Sequence, residues 1–174
     1  MRRGLVAVAV ALTVMACARD AYPLPSDPPN AGQLNPAAVG APTRAVLIYM
    51  TVRPGDRIEL VGADAIGSLD GADVAFLLSR PTIDADGTRV IGENFEDLAG
   101  AIVAGAAASP GSDTTVGIAA ALTARRPGRF EITNVRLRYR LNGGGEQAGE
   151  GIDVVWTVCA DDPAPSDCPE RRGS

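Results

Sequence analysis

Two stretches near the end of this sequence alternate apolar and polar residues with a period of two. Val135, Leu137, Tyr139 and Leu141 are interleaved with Arg136, Arg138 and Arg140, and Ile152, Val154, Trp156 and Val158 repeat the pattern. Successive side chains of a strand point to opposite faces, so this spacing builds half-buried strands and does not suit a helix. The glycine-rich residues 142 to 151 then read as the loop of a hairpin. Facing apolar partners would put Leu141 opposite Ile152 and Leu137 opposite Trp156. The same register sets Arg140 across from Asp153 and Arg138 opposite Val155. Trp156, the one tryptophan, is then a core residue whose indole N–H needs a partner.

Upstream, further β-rich runs end at Gly, Pro and Asp turns. Ala45-Val46-Leu47-Ile48-Tyr49-Met50-Thr51-Val52 stops at Arg53-Pro54-Gly55-Asp56, and Arg57-Ile58-Glu59-Leu60 alternates after it. Val74-Ala75-Phe76-Leu77-Leu78, Thr88-Arg89-Val90-Ile91 and residues 114 to 123 complete the series. Strands at this spacing predict an all-β domain, an antiparallel β-sandwich of about seven strands. Leu122 and Pro127-Gly128-Arg129-Phe130 resemble the corner before a late strand of immunoglobulin-like domains. Those domains often carry Tyr where Phe130 stands, so the resemblance implies architecture and no particular function. Residues 95–108 are open between strand and one short helix, since Phe95, Leu98, Ile102, Val103 and Ala106 recur near helical spacing behind Asn94. Gly100 and Gly105 each weaken that helix by about 1 kcal/mol.

The start of the chain speaks of export. Arg2 and Arg3 precede an apolar run over residues 5 to 15, too short to span a bilayer as a lasting helix. Val14-Met15-Ala16-Cys17 closes it and resembles the lipobox of bacterial lipoproteins. That resemblance implies removal of residues 1–16 as a signal peptide and a lipid on Cys17. The protein is then expected on the extracytoplasmic face of a cell membrane. Residues 17–44 hold Pro23, Pro25, Pro28, Pro29, Pro36 and Pro42 and read as a disordered tether, which at roughly 3 Å per residue reaches up to ~80 Å. The sandwich is expected over residues 45–168 and a disordered tail over 169–174.

With Cys17 lipidated, Cys159 and Cys168 remain, and an exported pair is expected to form a disulfide. The formal net charge is −5, and removing Arg2 and Arg3 makes it more negative still. Such a body is repelled overall by nucleic acid and by anionic lipid, and nucleic acid is not an expected partner. All 16 basic residues are Arg and there is no His. Imidazole catalysis, Lys Schiff bases and a Walker-type phosphate loop are therefore excluded. No cofactor is implied and an enzyme is not expected. A hydrolase using paired carboxylates is the remote reading, with few aromatics to stack a sugar.

Arg136, Arg138 and Arg140 are the candidate partner-binding residues. Three guanidinium groups on one strand face, spaced ~7 Å apart, suit a carboxylate-rich or phosphorylated partner. The competing reading is a solvated face balanced by Asp153 and by acids on a neighbouring strand. Asp84, Asp86, Gly87 and Glu93 match an EF-hand loop in part, and Asp161, Asp162 and Asp167 gather in the last loop. A hairpin turn and an acidic loop account for them more simply, so no metal ligand is assigned. The expectation is a lipid-anchored interaction or accessory module, its partners the membrane and an envelope protein. The alternative is a lipoprotein that binds a small ligand or calcium.

Overall fold

The computed structural model describes residues 24–26, 33–83, 85–87, 89–105, 114–160 and 168. Their strands run in chain order β1 (Leu24–Ser26), β2 (Gln33–Ala37), β3 (Pro42–Val52), β4 (Arg57–Ser68), β5 (Ala72–Ser79), β6 (Thr82–Ile83) and β7 (Arg89–Val90). They continue with β8 (Phe95–Asp97), β9 (Ile102–Ala104), β10 (Thr114–Ala124), β11 (Gly128–Leu141), β12 (Glu146–Ala148) and β13 (Ile152–Ala160). One large sheet has the order β1-β3-β10-β5-β8 and the other β2-β13-β11-β4-β9, with β12 also on β11, while β6 and β7 pair as a separate two-stranded sheet. The long strands, paired as β3-β10-β5 and β4-β11-β13, thus follow the B-E-D and C-F-G order of an immunoglobulin-like sandwich, with the short β1 in the place of strand A. All pairs are antiparallel except β2, which runs parallel to β13.

The inner faces meet in one core. Leu47, Ile48, Met50, Leu78, Ile118 and Leu122 from the first sheet join Ile58, Leu60, Phe130, Ile132, Leu137 and Trp156 from the second. Tyr139 lies on the same inner face, where burial raises its phenol above the ordinary value. Six strands of eight residues or more make this body. The remaining run expected as a strand, Thr88 to Ile91, holds β7, which pairs with β6 apart from the two large sheets. The outer face of the first sheet is paved with small residues such as Gly117 and Ala119 (buried). The chain around Ile91 and Gly92 covers it, and the Gly92 N–H donates to Ser79 Oγ at 2.7 Å.

One open reading is settled and two expectations change. No helix occurs over the described part of residues 95–108: Phe95–Asp97 is β8 on the first sheet and Ile102–Ala104 is β9 on the second. Leu98 is buried between them, the Ala101 N–H donates to Leu98 O, and Gly100 turns the chain with φ +83°. Gly105 lets the next turn pass Arg53, since a Cβ there would stand 1.8 Å from the Arg53 carbonyl oxygen. The two glycines that weaken the helix are those the crossing between sheets requires.

The hairpin register also differs. Ile132 faces Trp156, Asn134 faces Asp153 and Val135 faces Ile152. Leu141 instead pairs with Ile58, and Arg140 with Glu59 and Glu146. The cause is the turn. Asn142 and Gly143 both have positive φ and the Gly144 N–H donates to Leu141 O at 2.9 Å, a two-residue turn that matches strand twist. The returning strand therefore starts at once as β12, breaks near Gly149 and resumes as β13.

Finally, the span read as tether carries β1, β2 and the first residues of β3. Backbone pairing at the sheet edges holds these described pieces of a span whose own composition could not order them. The signal segment, Cys17, Asp84, the loop holding Asp161, Asp162 and Asp167, and the tail 169–174 lie outside the described residues.

Candidate functional site

β11 is the central strand of the second sheet, flanked by β13 and β4. Its alternation turns Val135, Leu137 and Tyr139 inward, while Arg136, Arg138 and Arg140 line the outer face. Arg140 Nη1 donates to Glu59 Oε1 at 2.7 Å, and its Nη2 stands 4.0 Å from Glu146 Oε2. Arg138 approaches Asp64 Oδ2 at 3.4 Å and Glu146 Oε1 at 3.5 Å. The Arg138 Nε–H is buried yet finds no hydrogen bond of good geometry. Gly62 makes room for this guanidinium, because a Cβ there would meet Arg138 Nη2 at 2.7 Å.

Two cations therefore share three carboxylates from β4 and β12. An incoming anion would meet Glu59, Asp64 and Glu146 before it met a free guanidinium. The pairs are well exposed, so each contributes at most about 1 kcal/mol. Asp153, expected near Arg140, accepts from Asn134 Nδ2 at 2.9 Å instead. The acids that balance the ladder come from the neighbouring strand, as the competing reading required, and from the returning strand β12.

Arg136 is different. It lies opposite Asp64 in the register, is exposed, and has no ion pair among the described residues. Beside it β11 carries a bulge at Thr133, where the register shifts against both neighbours. Five large apolar side chains are exposed among the described residues, and two of them flank this bulge: Ile66 on β4, 50 % exposed, and Val155 on β13, 46 % exposed. Both point outward, since Ala65, Val154 and Trp156 turn to the core. Two strand spacings put them roughly 10 Å apart. The sequence reading passed over Ile66 and Val155 because strand alternation marks an outward position without telling whether something covers it.

Cys159 and Cys168 form a disulfide with Cα atoms 6.1 Å apart. It fastens the chain to the end of β13 remote from the Asn142 turn. At that same end Arg125 forms a bidentate pair with Asp73, and Arg126 donates to Asp70 Oδ2 at 2.9 Å. The Arg125 hydrogen bond holds the Asp73 carboxyl below its ordinary range. Among the described residues, no three of the Asp, Glu and Cys side chains gather as metal ligands.

No family model and no curated protein matches the chain. Among solved structures it is similar to the ambient temperature fimbriae adhesin AtfE of Proteus mirabilis, at 16 % identity over 77 % of this chain and 96 % of that one, with a TM-score of 0.28. A likeness at that level adds nothing to what the strand order establishes.

Proposed function

We propose that this protein is a lipid-anchored, non-catalytic interaction module on the extracytoplasmic face of a bacterial membrane. The anchor rests on Val14-Met15-Ala16-Cys17 behind its basic and apolar leader. The Cys159–Cys168 disulfide supports an oxidising compartment. The contact surface is the outer face of β4, β11 and β13 around the Thr133 bulge. Arg136, of a residue type enriched at protein interfaces, lies beside a bulge that the exposed Ile66 and Val155 flank.

Arg136 is the residue of the ladder assigned to the partner, which is an envelope protein presenting a carboxylate beside an apolar side chain. Arg138 and Arg140 hold the face in shape through their acids. The observation that carries the reading is the lipobox, and the mass of the mature N-terminal peptide tests it. Wild-type protein is expected in the membrane fraction with the lipid mass on Cys17, and Cys17→Ser is expected to be unprocessed or soluble. An unmodified Cys17 thiol in the wild type overturns the anchor.

A further inference from the structure

β1 begins close to Cys17, and its partner in the fold is known. Leu24 pairs with Thr51 and Ser26 with Tyr49, so the chain enters beside the end of β3 and runs toward its start. Seven residue steps separate Cys17 from Leu24. Even fully extended, they span at most about 25 Å. The end of β3 defines one pole of the sandwich. Residues 53–56 turn there, β9 pairs there with Arg57, and β11 ends there opposite Ile58 before the Asn142 turn. Asn142 ties these pieces together: its Oδ1 accepts the Arg57 N–H at 2.8 Å and its Nδ2 donates to Asp56 Oδ1 at 2.9 Å. The opposite pole carries the Cys159–Cys168 disulfide and the turn at Pro127.

We propose that the sandwich stands on the membrane with the pole of residues 53–56 and 142–145 against the lipid surface, leaving the disulfide pole outward. The proposal rests on the lipid-anchor reading and deepens it. A free tether of the whole span 17–44 would allow any orientation within ~80 Å. A lead of about 25 Å on a body about 40 Å tall holds one pole down. The surface around Arg136 then faces sideways, parallel to the bilayer. It meets a partner that is itself membrane-bound or lies close above the membrane.

The test uses the mature lipoprotein reconstituted in vesicles. Cys17 carries lipid and Cys159 and Cys168 are paired, so one introduced cysteine is the single labelling site. Donor dyes go on Pro54→Cys, Gly145→Cys and Pro127→Cys, and the acceptor is a headgroup-labelled lipid. Transfer from residues 54 and 145 is expected to exceed that from 127 by about twofold or more, and a flexible Gly/Ser insertion of about twenty residues after Arg19 should equalise all three. Equal transfer without the insertion, or stronger transfer from 127, overturns the orientation. Failure of the anchor reads out differently: the protein does not float with the vesicles, and Cys17 has an unmodified thiol.

Discussion

The indole N–H of Trp156 donates to Asn35 Oδ1 at 2.8 Å, joining the core of the last strand to the parallel strand β2. Trp156 is 1 % exposed. Its N–H is the buried donor the sequence left without a partner, and the answer lies in the stretch that composition assigns to a tether.

Asn35→Leu should therefore destabilise the whole sandwich, since it orphans a buried donor. The expected loss is about 1–3 kcal/mol. Urea unfolding followed by Trp156 fluorescence measures it. An unchanged midpoint means that β2 is not part of the cooperative unit.

The disulfide closes a short loop at one pole. Reduction, or Cys159→Ser with Cys168→Ser, is expected to lower stability by roughly 2–3 kcal/mol through the freed loop entropy. Denaturation with and without reductant checks this.

Two glycines on β4 separate backbone fit from side-chain fit. A Cβ at Gly67 would lie 1.9 Å from the Glu131 carbonyl oxygen, whereas one at Gly62 meets only the movable end of Arg138. Gly67→Ala should cost about 2 kcal/mol or more, because strand backbones must move apart. Gly62→Ala should cost under about 1 kcal/mol, the worth of an exposed ion pair. Thermal melts of the two variants side by side decide it.

The alkaline limb of stability belongs to tyrosines, because the chain has no Lys. Burial raises the folded Tyr139 phenol above 10.0, so the unfolded chain loses its proton first. The stabilisation is present below about pH 10 and is lost as pH rises toward the folded value. Asp73 has the opposite sign: its carboxyl is lowered by Arg125, and its contribution fades as pH falls below 3.8 toward the folded value. A urea midpoint that is flat near pH 8 and falls above pH ~10 fits the account; Tyr139→Phe should soften that fall.

Much of the fold was legible because period-two alternation is a local signal. The inward sets Val135, Leu137, Tyr139 and Val154, Trp156, Val158 all reach the core. Register was not legible from matching apolar partners alone. The Asn142-Gly143 pair is a strong hairpin signal, and taking it as the turn would have started the return strand at once. Helix and strand could not be separated over 95–108 because Phe95, Leu98, Ile102 and Val103 satisfy helical spacing while serving two sheets. In the candidate site, Arg136, Arg138 and Arg140 were correctly set on one face. Their difference lies in β4, where Glu59 and Asp64 are placed by a register that distant strands determine.

The most direct measurement of the docking surface is photo-cross-linking in intact cells from a reactive side chain at Ile66. Position 75, exposed on the outer face of the other sheet, is the comparison. The account predicts one dominant envelope-protein adduct from position 66, far weaker from position 75, and lost when Arg136→Glu is added. The same adducts from both positions, or none from position 66, would contradict it.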